Sequence, residues 1–234
     1  MPNLLHDKLT LKVADGTKMD CFVARLRDEE PRPGLIVLQE AYGVNEHIRD
    51  VTERFGRQGY VAIAPELFHR TAPGFEGDYN NFESVKPHYS AINRADVDAD
   101  LRATFDWLHS QPFVKKNEIS AVGYCLGGRI AFAANTILPL KCAISYYGGG
   151  IPDFALDRAS SLHGPQLFFW GEKDKNIPPE QRATIINALK AAGKSYVNVE
   201  FSDAGHGFFC DVRSAYNETA ARQSWALTLE FLRS

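Results

Sequence analysis

The chain alternates short apolar runs with longer stretches in which apolar residues recur every three or four positions. The runs at residues 35–39 (LIVLQ), 61–64 (VAIA) and 119–123 (ISAVG) have the length and composition of buried strands, and 142–147 (CAISYY), 166–170 (QLFFW) and 197–201 (VNVEF) also read as strands. The stretches between them are amphipathic. In NEHIRDVTERFGRQG, Ile48, Val51 and Phe55 share one face, Asn45 is placed to cap the start and Gly59 to end the helix. Val97, Leu101, Phe105 and Leu108 predict a helix over about residues 91–110. Further helices are predicted from residue 128 onward, over 179–193, and along the last stretch with Trp225, Leu229 and Leu232. The opening differs: residues 9–13 and 21–26 read as two strands joined through ADGTK, where Asp15-Gly16 is a hairpin signal. Residues 66–90, with Pro73, Gly74 and Gly77, read as an irregular, lid-like insert over the probable site.

Short apolar strands alternating with amphipathic helices predict an α/β fold, a mostly parallel sheet flanked by helices on both faces. No repeat or linker-like charge run interrupts the pattern, so a single domain over residues 1–234 is the expectation. The net charge of −3 and the lack of a basic stripe argue against nucleic acid or an anionic membrane as partner. No run approaches the roughly 20 apolar residues of a membrane span. The N-terminal stretch MPNLLHDKLTLKV has no charged-then-apolar export pattern, so a cytoplasmic location is expected. The four cysteines, Cys21, Cys125, Cys142 and Cys210, form no C-x-x-C pair and no zinc-like spacing. Free thiols are expected.

One cysteine stands apart. VGYCLGGRIAF runs from an apolar strand through Gly123-Tyr124-Cys125-Leu126-Gly127 into an apolar helical pattern. That is the setting of a nucleophile elbow, with cysteine in place of serine. The sharp turn strains the nucleophile's backbone, so near neighbours must be almost free of side chain. The helix N-terminus then aims its partial positive charge and amides at the sulfur and at a developing oxyanion. Taken alone, the pattern fits a small buried thiol in a tight turn equally well.

The rest of the chain tips that balance. Nucleophile, acid and histidine follow in the order this type of site uses, each after a strand. GEKDKNIPPE, after QLFFW, offers Asp174, with Glu172 as the fallback; SDAGHGFF, after VNVEF, offers His206 between two glycines. The second oxyanion amide is expected from QEAYG, which pairs the amide of Ala41 with that of Leu126. Glu40, directly after a buried strand, reads either as a solvated helix-flanking acid or as a carboxylate that disfavours the thiolate until substrate arrives.

QEAYGVNEHIRDVTERFGRQGYVAIAPELF, VGYCLGG, Asp174 in GEKD and His206 in AGHGFF together resemble the dienelactone hydrolases (carboxymethylenebutenolidases), from about residue 10 to the C-terminus. The resemblance implies a single α/β-hydrolase domain acting as a monomer without a cofactor, a Cys125–His206–Asp174 triad, and a part for Glu40 in activating the thiol. It also marks departures. The family's best-known members hold the lactone carboxylate with two arginines. Four residues after the histidine this chain has Cys210, and its 75–90 region has no arginine. Lys86, Arg70 and Arg213 are candidate substitutes, and Tyr42 on the QEAYG loop is a further substrate-binding candidate. The expected substrate is a small ester or lactone. Two alternatives stand beside that: a general carboxylesterase or thioesterase of small acyl groups, and a non-hydrolytic redox-sensing or ligand-binding thiol protein in which Cys210 resolves an oxidised Cys125.

Overall fold

A computed structural model describes residues 4–234. The first three residues of the stretch read for an export signal lie outside the described residues. The chain forms two compact units, one running to Ala121 and the other from Val122 to Ser234. Strand β5 (Val114–Tyr124) runs through the division.

In the first unit, β1 (Leu4–Lys12) and β2 (Lys18–Leu26) form the predicted antiparallel hairpin, longer than the apolar alternation alone suggests. Strand β2 pairs antiparallel with β4 (Val61–Pro65), and β3 (Arg32–Leu38) pairs parallel with β4, giving the order β1-β2-β4-β3. β4 is buried along its whole length, which is why it reads as an uninterrupted apolar run. Helix α1 (Glu46–Arg57) joins β3 to β4. Asn45 caps it by accepting a hydrogen bond from the Ile48 amide, and Gly59, at φ +91°, turns the chain out of it. Ile48, Val51 and Phe55 are fully buried along its inner face, each contributing about 1.5–3 kcal/mol of apolar burial.

Two predicted spans change. The irregular reading of residues 66–90 holds only as far as Asn81, whose side chain accepts from the Ser84 amide and starts helix α2 (Phe82–Ala91). The helix predicted from residue 91 begins later, as α3 (Arg94–Ser110), because Ile92 is extended and Asn93 caps the new start through the Asp96 amide.

The second unit continues from the end of β5 into α4 (Leu126–Ile137), β6 (Ala143–Tyr146), the single turn α5 (Ile151–Phe154), β7 (Gln166–Gly171), α6 (Pro179–Ala191), β8 (Tyr196–Phe201) and α7 (Glu218–Arg233). Strands β6, β7 and β8 lie side by side and parallel. Parallel neighbours put their carboxyl ends at one edge, where loops carry chemistry. The loops after β5, β7 and β8 are the ones that hold Cys125, Asp174 and His206. Among the described residues no helix is long and apolar enough to cross a membrane, and none of the four cysteines is in a disulfide.

Candidate active site

Strand β5 ends at Tyr124 and α4 begins at Leu126, which leaves Cys125 alone to make the turn. It does so at φ +55°, ψ −113°. A side chain there is strained, and the strain is sustained by backbone contacts on both sides. The Cys125 amide donates to the Tyr146 carbonyl at 3.0 Å, and the Cys125 carbonyl accepts from the amides of Gly128 and Arg129. Gly123 is required by close approach: a Cβ there would stand 1.9 Å from the Gly127 carbonyl oxygen. The turn therefore works only with no side chain at that point.

His206 reaches this sulfur. Its Nε2 lies 3.1 Å from Cys125 Sγ, and its Nδ1 lies 2.7 Å from Asp174 Oδ2. Two loops hold that geometry. The Asp174 side chain is pinned at its other oxygen, where Oδ1 accepts from the Asn176 amide at 2.8 Å. The two loops are stitched together by the amides of Glu172 and Lys173, which donate to the carbonyls of Phe201 and Ala204. Tyr147, itself at φ +38°, packs edge-on against the His206 ring at 5.2 Å between centroids. Nothing in the sequence reading singled out Tyr147. The available signal was its place just past the carboxyl end of a parallel strand.

The electrostatics favour a protonated His206. Burial works against the His206 imidazolium, but Cys125 and then the Asp174 carboxylate outweigh it. They push the His206 pKa from the ordinary 6.5 up to about 10.

The other sequence candidates take different positions. Leu126 is the buried first residue of α4, and its amide stands at the helix N-terminus next to Cys125. Glu40, Ala41 and Tyr42 belong to the first unit, in the loop after β3, and all three are buried. Arg70 is engaged by carboxylates: it makes two hydrogen bonds to buried Asp100 and a third to Asp15. Burial disfavours its charge, but these partners outweigh that and raise its pKa. Lys86 is exposed on α2, 3.9 Å from Glu83. Arg213 lies on the loop after His206, with its guanidinium so close to Gly207 that a Cβ there would meet Nη1 at 2.4 Å.

Comparison with known proteins bears on this arrangement. The model of the dienelactone hydrolase family matches residues 19–234, all but the first hairpin strand. The chain belongs to the dienelactone hydrolase family. A Synechocystis protein provisionally assigned as a carboxymethylenebutenolidase is 38% identical over 202 residues, 82% of each chain. The carboxymethylenebutenolidase of Pseudomonas sp. strain P51 is 33% identical over 205 residues, 86% of this chain and 84% of that one. A crystal structure of a Klebsiella pneumoniae protein, provisionally a dienelactone hydrolase, matches with a TM-score of 0.88 at 30% identity and covers 99% of both chains. As a dienelactone hydrolase family member the chain is a carboxylic ester hydrolase with the α/β-hydrolase fold.

Proposed function

We propose that the enzyme hydrolyses activated esters or lactones through a thioester on Cys125, with His206 as acid–base and Asp174 as the group that orients it. The observation that carries this is the chain of contacts from Cys125 Sγ to His206 Nε2, 3.1 Å, and from His206 Nδ1 to Asp174, 2.7 Å. It begins at a residue held in a strained turn at a helix N-terminus.

In the first step the Cys125 thiol gives its proton to His206 Nε2, its sulfur forms a bond to the acyl carbon, and the carbonyl π electrons move to oxygen. The amides of Leu126 and Ala41 stabilise that oxyanion, and Glu40 takes part in activating the thiol. The tetrahedral intermediate collapses, the acyl C–O bond breaks, and His206 gives its Nε2 proton to the leaving oxygen. A water then attacks the thioester and passes a proton to His206. The C–S bond breaks and returns the thiolate. Asp174 keeps the imidazole in one orientation throughout. A thiolate is a better leaving group than an amine anion, so attack on an amide reverts. Enol esters and lactones go forward, and we assign those as the substrate class.

Of the basic candidates, Arg213 is the one we carry forward for a substrate carboxylate. Arg70 is taken up by Asp15 and Asp100. Within the same proposal the enzyme works as a cytoplasmic monomer on a small molecule, without a cofactor. The redox alternative is less well supported, because its resolving thiol, Cys210, is fully buried.

The test is hydrolysis of p-nitrophenyl acetate and of a dienelactone by wild type, Cys125→Ala and Cys125→Ser. Turnover by wild type and its loss in Cys125→Ala is the expected result. Full activity in Cys125→Ala would remove the cysteine from the mechanism.

A further inference from the structure

The loop that carries Glu40 and Ala41, residues 39–45, has no regular secondary structure, yet every residue in it is buried. Its conformation needs an external support, and residues 75–79, which follow β4 in the chain, supply one. The Gly77 amide donates to the Tyr42 carbonyl at 3.0 Å. The Tyr79 ring packs on the Tyr42 ring at a tilt of 51°, with centroids 4.5 Å apart. The Tyr79 hydroxyl accepts from Asn45 Nδ2 at 2.9 Å, while the same Asn45 side chain caps α1. Arg49 donates to the Val44 carbonyl and makes two hydrogen bonds to Glu76, at 2.6 and 3.1 Å. Gly43, at φ +80°, lies so close that a Cβ would stand 1.9 Å from the Phe75 carbonyl oxygen. Four of five consecutive residues thus grip the loop through backbone, ring, hydroxyl and charge.

We propose that residues 75–79 are a fixed brace rather than a moving lid, and that Tyr79 is a positioning residue that sets the Ala41 amide for the oxyanion. This rests on the mechanism proposed above, in which that amide is one of the two donors. Tyr79 touches neither substrate nor sulfur in this scheme. It acts by holding Tyr42 and Asn45, which flank the turn after Ala41. An amide displaced by a fraction of an ångström loses part of its hydrogen bond to the oxyanion while leaving the thiol untouched.

Two rates on the full-length enzyme separate these effects. One is acylation, read from the p-nitrophenol released by p-nitrophenyl acetate. The other is alkylation of Cys125 by iodoacetamide, which develops no oxyanion and so needs no amide donor. Full loss of one donor costs about 10²–10³, so Tyr79→Ala is expected to slow acylation by about tenfold or more. Its alkylation is expected to stay within about twofold of wild type. Tyr79→Phe keeps the ring contact and is expected to recover most of the rate, and Glu76→Gln to lower it modestly. Acylation at the wild-type rate in Tyr79→Ala would overturn the brace, and so would an equal fall in both rates, which would place the damage at the cysteine. Undiminished hydrolysis by Cys125→Ala is a different failure: it would remove the mechanism itself and the brace with it.

Discussion

Cys125 is one of two non-glycine residues at positive φ among the described residues, the other being Tyr147. Its Cβ sits where side chains rarely go, at a cost of about 1–3 kcal/mol. Cys125→Ala and Cys125→Gly both delete the sulfur and its pairing with His206, so that loss cancels in a comparison of the two. Alanine keeps the Cβ and the strain. Glycine removes both, but gives the unfolded chain extra freedom worth about 0.4–1 kcal/mol. The difference leaves the glycine variant more stable than the alanine variant by about 1 kcal/mol, or roughly 2–4 °C in Tm for a chain of this length. Urea denaturation of the two variants, with equal m values, measures this directly. A glycine variant less stable than the alanine variant would mean that the turn holds its nucleophile without strain, and the account of the elbow given above would fail. Both variants are expected to be inactive, so the comparison reads the strain of the turn separately from the chemistry.

The His206 pKa makes a second prediction with a definite sign. The folded-state value of about 10 lies above the ordinary 6.5, so His206 contributes stability that is fully present below about 6.5 and lost as pH rises through about 10. The gap in urea stability between wild type and His206→Asn should therefore narrow across that window, and a gap that is constant with pH would contradict it. Arg213→Gln is expected to raise KM for a carboxylate-bearing lactone by about tenfold or more, since a hydrogen bond to a charged group is worth about 1.5–3 kcal/mol. KM for p-nitrophenyl acetate should be unchanged; equal KM values for the lactone in both enzymes would exclude Arg213 from carboxylate recognition.

What could be read from the sequence, and what could not, follows from the range of the interactions involved. β3, β4 and β7 are apolar runs because parallel strands covered on both faces need apolar side chains throughout, and that signature is local. The turn around Cys125 was legible for the same reason. The close approach at Gly123 is to Gly127, four residues away, so the constraint leaves its mark inside one short motif. Asp174 and His206 are 32 residues apart, but each follows a recognisable strand, and strand order supplied the link. Helix α2 was missed because Pro73, Gly74 and Gly77 before it and Pro87 within it read as loop signals, and it buries little: Val85 is its one fully buried residue, and it clusters with Ala41 and Tyr42.

The brace is the extreme case. Its defining contacts join Asn45 to Tyr79 and Arg49 to Glu76, 34 and 27 positions apart. No periodicity connects those positions, and each residue looks like an ordinary surface or loop residue in its own neighbourhood. Gly43 is the exception, because its positive φ and the 1.9 Å approach to Phe75 forbid any side chain. In the sequence that glycine reads as a generic turn residue. Only the fold shows that it turns against the stretch 75–79, inside the span that reads as lid-like in the sequence.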